Sequence, residues 1–168
     1  MDQQPGIASL PILAVLGPSS ASDDEMRVAA RVGGAAARAG WVTLTGGGPG
    51  VMEAASRGAV EGGGLTVGVL PVERATAGYP NPWVVIPVAT GIGSARNVIN
   101  VLSASLCVAI GGGPGTLSEI AHALKSGVPV WCYRSWSIDP PPATDPPLPR
   151  VFDDETKLLE ALEEALCV

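Results

Sequence analysis

Two glycine-rich stretches carry the residue types best suited to chemistry in this chain. The first reads Thr45-Gly46-Gly47-Gly48-Pro49-Gly50-Val51-Met52-Glu53. The second reads Ile110-Gly111-Gly112-Gly113-Pro114-Gly115-Thr116-Leu117-Ser118-Glu119. Each follows an apolar run and opens a run with helical spacing. A strand that ends in glycines and turns into a helix directs N–H groups, which have no intrahelical partner, outward at the positive end of the helix dipole. Such an end binds phosphate or another oxyanion, and glycine lets the ligand approach the backbone. Gly46, Gly47, Gly48 and Gly50, with Gly112, Gly113, Gly115 and the hydroxyl of Thr116, are therefore candidate ligand-binding positions for a phosphorylated small molecule. Thr116 also has an ordinary alternative role, as the N-cap of its own helix. Neither stretch is a Walker motif, which needs a Lys that is absent, and neither matches the dinucleotide fingerprint with its acidic residue about 20 positions on.

Other polar residues fall at similar turns. Gly17, Ser19 and Ser20 lie in Gly-Pro-Ser-Ser after the first apolar run. Thr90 and Gly91 open Thr-Gly-Ile-Gly-Ser, which leads to Arg96 and Asn97. An arginine at the binding edge of a sheet grips phosphate or carboxylate bidentately, and its structural alternative here is an ion pair with Glu119. Glu119, read as lying in the first helical turn, is favoured there by the dipole alone. A functional Glu119 would hydrogen-bond a sugar hydroxyl or move a proton on a bound glycoside. His122, the single histidine, reads as a surface or interface residue. No metal-spaced cluster is assembled from the sequence.

The elements that must position these residues alternate along the chain. Strands are predicted at Ile12–Leu16, Trp41–Thr45, Leu65–Leu70, Trp83–Pro87, Leu106–Ile110 and Val128–Tyr133, with a short run at Val151 and Phe152. Helices are predicted at Asp23–Ala39, Val51–Glu61, about Ala95 to Ala104, Leu117–Ser126 and about Asp154 to Leu166. Ser22 and Glu25 form a capping-box pattern. The strands are continuous apolar runs, as parallel strands buried on both faces require. The pattern implies an α/β fold: a doubly wound, Rossmann-like three-layer sandwich with a mostly parallel central sheet, formed by one domain over residues 1–168. Right-handed crossovers then gather all four turns at the C-terminal edge of the sheet. A proline-rich loop, roughly Ser135 to Pro149, reads as an exposed extended segment.

Composition narrows the partners. The chain has 168 residues, 46% of them hydrophobic and 15% charged, against about 25% charged in an average domain. Low surface charge often accompanies oligomer formation. The net charge of −6, without a Lys/Arg cluster, argues against nucleic acid or an anionic membrane as partner. Cys107, Cys132 and Cys167 form no CxxC pair and read as reduced thiols, which points to the cytoplasm. No signal-peptide pattern and no run of about 18 apolar residues is present.

These residues resemble the Rossmann-like superfamily once misnamed lysine decarboxylases, which includes the LOG phosphoribohydrolases. The LOG signature P-G-G-x-G-T-x-x-E is similar to Gly111–Glu119, with Gly111 in place of Pro. Gly46–Ala59 is similar to the first glycine motif of the superfamily. Arg96 falls on the catalytic arginine of LOG proteins, Glu119 on the catalytic glutamate, and Asn97 replaces the Lys that follows the arginine. The stretch Asn81–Asn100 looks more like the branch that contains the molybdenum cofactor carrier proteins. That likeness implies a homo-oligomer, dimer or tetramer, that binds the molybdenum cofactor as cargo and hands it on without turnover. It implies no independent metal site. Molybdoenzymes or cofactor-synthesis proteins are the protein partners it suggests. In this reading the two glycine turns hold oxyanions, Arg96 supplies the charge, and Ser19 and Ser20 contact the pterin or phosphate. The competing reading is a nucleoside-5′-monophosphate phosphoribohydrolase with Arg96 and Glu119 as catalytic residues. A non-catalytic nucleotide-binding module is the third.

Overall fold

The computed structural model describes residues 9–142 and 146–167. Seven strands form one sheet in the order β4-β3-β2-β1-β5-β6-β7, and every neighbouring pair is parallel. The strands are β1 Ile12–Leu16, β2 Val42–Thr45, β3 Thr66–Leu70, β4 Ile86–Ala89, β5 Leu106–Ile110, β6 Val130–Tyr133 and β7 Arg150–Phe152. The helices are α1 Asp23–Arg38, α2 Val51–Glu61, α3 Arg96–Leu102, α4 Pro114–Ser126 and α5 Glu155–Leu166, with a 3₁₀ turn at Gly93–Ala95 leading into α3. The chain winds outward from β1 to β4, returns to place β5 beside β1, and winds outward again. The strand order therefore reverses between β1 and β5, the position at which open α/β sheets bind ligands. The doubly wound Rossmann-like expectation is met, with a sheet that is parallel throughout.

Residues of the central strands alternate between two cores. Leu13 and Val15 of β1 pack with Val28, Val32, Ala55, Leu158 and Leu162, so α1, α2 and α5 cover one face. Ala14 and Leu16 pack with Val101, Ile120 and Ala123, so α3 and α4 cover the other. Cys107 and Cys132 are free thiols in this second core, and burial pushes them up to about 12 and about 11 respectively. The α1–α2 contact depends on close backbone approach. A Cβ at Gly58 would lie 1.9 Å from the Ala30 carbonyl oxygen. Gly58→Ala is expected to destabilise by about 2 kcal/mol, because overpacking against backbone outweighs the ~1 kcal/mol gain in helix propensity. A fall in Tm of about 4–8 °C is the expected reading.

The larger departures from the sequence reading fall in β4, β6, α3 and α4. β4 runs over Ile86–Ala89, not Trp83–Pro87, because residues 83–85 are held by side chains. The Thr66 hydroxyl donates to the Trp83 carbonyl at 2.6 Å and accepts from the Val85 N–H, while Asn81 Oδ1 accepts from the Trp83 N–H. Pro87 is tolerated because β4 is an edge strand. β6 starts at Val130 because the Val128 N–H caps α4 through the Ala123 carbonyl, with Gly127 left-handed at φ 70°. α3 begins at Arg96, after the 3₁₀ turn. α4 begins at Pro114, three residues before the expected Leu117, because a proline with fixed φ is well placed in the first helical turn. Gly113 is thus the N-cap, so Thr116 is not, and Glu119 falls in the second turn rather than the first. The capping box of α1 forms as expected, with Ser22 N–H donating to Glu25 at 2.7 Å.

Candidate functional site

The C-terminal ends of β1, β2 and β5 open onto a cleft of about 310 Å³. The loop after β1 contributes Gly17, Pro18 and Ser19, and the first glycine turn contributes Gly46 and Met52. α3 contributes Arg96, Asn97 and Asn100, while the start of α4 contributes Gly113, Gly115, Thr116 and Glu119. Both glycine turns, the β1 loop and Arg96 thus converge at the strand-order reversal.

The two glycine turns differ in what they offer. The first is largely occupied by its own surroundings. The Gly47 N–H donates to Thr45 Oγ1 at 3.1 Å, Asn81 Nδ2 donates to the Gly48 carbonyl at 2.8 Å, and the Val51 N–H donates to the Pro18 carbonyl at 3.2 Å. Gly50 packs on the Pro18 and Ser19 backbone, with φ at 68°. The second turn is open. Gly113 caps α4 without a side-chain hydrogen bond. Gly115 and Thr116 are the second and third helical residues, so their N–H groups have no intrahelical acceptor. A Cβ on Gly113 would meet nothing within 4 Å, and one on Gly115 only Asn97 Nδ2 at 3.8 Å. Both line the cleft, and neither has a left-handed backbone. The fold gives no reason for glycine there; an approaching ligand does.

Among the described residues, Arg96 supplies the only cationic side chain lining the cleft. Its guanidinium lies on Gly46, where a Cβ would fall 1.9 Å from Nη1 and 2.4 Å from Cζ. The Tyr79 hydroxyl donates to the Gly46 carbonyl at 2.9 Å and fixes that platform. Arg96 forms no ion pair with Glu119 within 4.0 Å; the carboxylate instead accepts from Asn100 Nδ2 at 2.9 Å. Glu119 is 6% exposed. Burial raises its pKa, while the Asn100 hydrogen bond and the Arg96 charge pull the other way. Two buried polar atoms on the cleft residues, Arg96 Nε and Asn100 Oδ1, have no partner among the described residues. Such atoms are costly unless a ligand or water satisfies them.

Of the sequence-derived positions, Gly17, Ser19, Gly46, Arg96, Asn97, Gly113, Gly115, Thr116 and Glu119 line the cleft. Gly47 turns toward Leu70 and Pro80, and Gly48 toward Met52. Ser20 is exposed in the β1 loop beyond the lining. Gly112, at φ 142°, packs on Thr116. Thr90 donates its hydroxyl to the Leu70 carbonyl at 2.7 Å, and the Gly91 N–H donates to the Val72 carbonyl. His122 lies outside the lining. Sequence reasoning missed Asn100 and Tyr79. Asn100 was detectable, since it lies one helical turn after Arg96 on the same face. Tyr79 sits in a loop without periodic signal.

A parallel doubly wound sheet with a glycine turn and an arginine lining one cleft at its strand-order reversal defines a Rossmann-like fold. Residues 10–162 match the SLOG cluster4 family, and the chain belongs to it. An uncharacterized protein of Archaeoglobus fulgidus is 42% identical over 129 residues, 77% of this chain and 80% of that protein. The molybdenum cofactor binding protein of the phototrophic bacterium Rippkaea orientalis has a similar structure, with TM-score 0.72 and 38% identity, covering 94% of this chain and 86% of that one. The molybdenum cofactor carrier protein of Chlamydomonas reinhardtii gives TM-score 0.76 and 35% identity, covering 95% and 100%.

Proposed function

We propose that this protein binds the molybdenum cofactor as cargo, stores it and passes it on. Likeness across nearly the whole chain to two proteins named for that cofactor supports the identity of the ligand. The observation that carries binding is the open turn at Gly113 and Gly115, which lines the same cleft as Arg96. The amides of Gly115 and Thr116, the Thr116 hydroxyl and the Arg96 guanidinium suit the terminal phosphate or another oxyanion of the cofactor. The unpartnered Arg96 Nε and Asn100 Oδ1 fit a ligand that both donates and accepts hydrogen bonds. The metal travels inside the ligand, and the protein supplies shape and charge.

Assembly with copies of itself belongs to the same reading. Edge strand β4 exposes Ile86 and Val88, and α3 exposes Ile99 and Leu102, an apolar surface of the kind oligomers cover. No described helix is long and apolar enough to cross a membrane. The cytoplasm, and transfer to molybdoenzymes or from cofactor-synthesis proteins, complete the proposal. Anaerobic titration with purified cofactor, read by native mass spectrometry, tests it. One cofactor per subunit in an oligomer is the expected result, and absence of binding would overturn it.

The shared cleft position of Arg96 and the buried Glu119 favours a second reading, cleavage of the N-glycosidic bond of a nucleoside 5′-monophosphate. Ribose 5-phosphate release from AMP, abolished by Glu119→Gln, would put that reading first. The same variant makes a separate prediction. Because the folded pKa of Glu119 is raised, its contribution to stability is fully present below its ordinary value of 4.5 and is lost as pH rises through the folded value. Glu119→Gln keeps an acceptor for Asn100 and removes the buried charge. The unliganded variant is expected to be more stable than the parent at pH 7, with the difference closing near pH 4. Urea unfolding at both pH values measures it.

A further inference from the structure

Beside the main cleft lies a second, shallower depression of about 350 Å³, at the junction of β6 and the proline-rich loop. Gly111 and Gly112 border it, so the second glycine turn is shared by both hollows. Its wall is Trp136, 38% exposed, whose indole N–H donates to the Gly113 carbonyl at 3.2 Å. Its base is Ser135, whose hydroxyl is buried without a partner among the described residues. Arg134, at φ 45°, turns the chain here in a conformation that L-residues seldom adopt. That turn is held by the Arg134 ion pair to Asp24 at 2.9 Å and by its guanidinium 5.2 Å from the centre of the Tyr133 ring.

We propose that this depression is a subsite for the planar heteroaromatic part of a ligand whose anionic end occupies the main cleft, with Trp136 as the stacking wall. The inference rests on the anionic-ligand reading of that cleft and adds where the ring goes. A half-exposed indole offers a flat apolar face beside the backbone of Gly111 and Gly112. The Ser135 hydroxyl, reached by rotation about one bond, suits an exocyclic amino or oxo group at the ring edge. The ring chemistry is shared by pterins and purines, and the probes separate the two.

The test uses a pterin without phosphate, GMP and ribose 5-phosphate against the full chain and its Trp136→Phe and Trp136→Leu variants. The chain has four tryptophans, and loss of one indole resonance in Trp136→Phe assigns Trp136 in the ¹H–¹⁵N spectrum. Pterin or GMP is expected to shift that resonance, while ribose 5-phosphate leaves it in place. By calorimetry, Trp136→Leu is expected to weaken the responding ring ligand by roughly tenfold, and Trp136→Phe by less than about threefold, since stacking survives in Phe. A pterin-only response identifies a pterin ring, and a GMP-only response a purine. An unmoved Trp136 resonance with both ring probes overturns the subsite. Equal losses in the Phe and Leu variants overturn it too, because they reduce Trp136 to a hydrogen-bonded prop for Gly113. If the molybdenum cofactor does not bind but a ring probe still shifts Trp136, the proposed cargo is wrong and the subsite stands.

Discussion

Arg96→Ala is expected to weaken molybdenum cofactor binding by about a hundredfold, with little change in the stability of the unliganded protein. The magnitude is that of removing one partner of a desolvated, charge-assisted contact, about 2–5 kcal/mol. No other cationic side chain among the described residues lines the cleft to substitute for it. The fold loses little, because among the described residues the guanidinium makes no ion pair within 4.0 Å and its Nε has no partner. Arg96→Lys is expected to recover only a minor part, since the three donors of an ammonium lack the rigid planar fork that lies on Gly46. Anaerobic calorimetry beside a thermal melt gives both numbers. Loss of less than about threefold would leave the cleft without its charged anchor and would sink the carrier proposal in its present form.

Gly115→Ala is expected to separate stability from binding. Alanine is the better helix former by about 1 kcal/mol, and the new methyl would meet only Asn97 Nδ2 at 3.8 Å. The variant is therefore expected to melt about 2–4 °C higher. The same methyl projects where a ligand must approach the first-turn amides of α4. Cofactor affinity is expected to fall by at least about tenfold. Gly58→Ala is the internal contrast, because that glycine is required by the packing of α1 on α2 and its loss shows as lower stability. If Gly115→Ala binds like the parent, the open turn is not where the ligand sits. If it melts lower, the structural account of the turn is wrong.

The carrier and hydrolase readings make opposite demands on Glu119. A hydrolase needs its carboxylate at the sugar, whereas a carrier tolerates its neutralisation. The structure shows that carboxylate bonded to Asn100 and buried beneath the cleft. Turnover of a nucleoside 5′-monophosphate that Glu119→Gln abolishes marks the hydrolase, and cofactor binding that survives Glu119→Gln marks the carrier.

Much of the fold was written in local signals. The apolar runs of β1 and β5 match the predicted bounds because fully buried parallel strands need uninterrupted apolar sequence, and the glycine turns mark where such strands end. Ser22 and Glu25 announced the start of α1 because a capping box is satisfied within a single turn. The placement of Arg96 and Glu119 on one cleft was legible from the turns that precede them. The start of β4 was not, because it depends on bonds to a distant partner, and β6 and α4 shifted through the helix cap at Val128 and the proline at Pro114. Thr66 holds residues 83–85 out of β4 across the neighbouring strand, and no window of sequence contains both segments.

The sequence by itself determined the alternation of strands and helices, the two glycine turns and the single arginine beside them, since these follow from short-range periodicity and backbone freedom. Tertiary structure decided which turn is available. Gly47, Gly48 and Gly50 are taken up by Thr45, Asn81 and the β1 loop, whereas Gly113 and Gly115 remain open. It also decided that Asn100 holds Glu119 and that Trp136 reaches Gly113. Near-identical motifs acquire different roles because amide availability depends on what the rest of the chain packs against them.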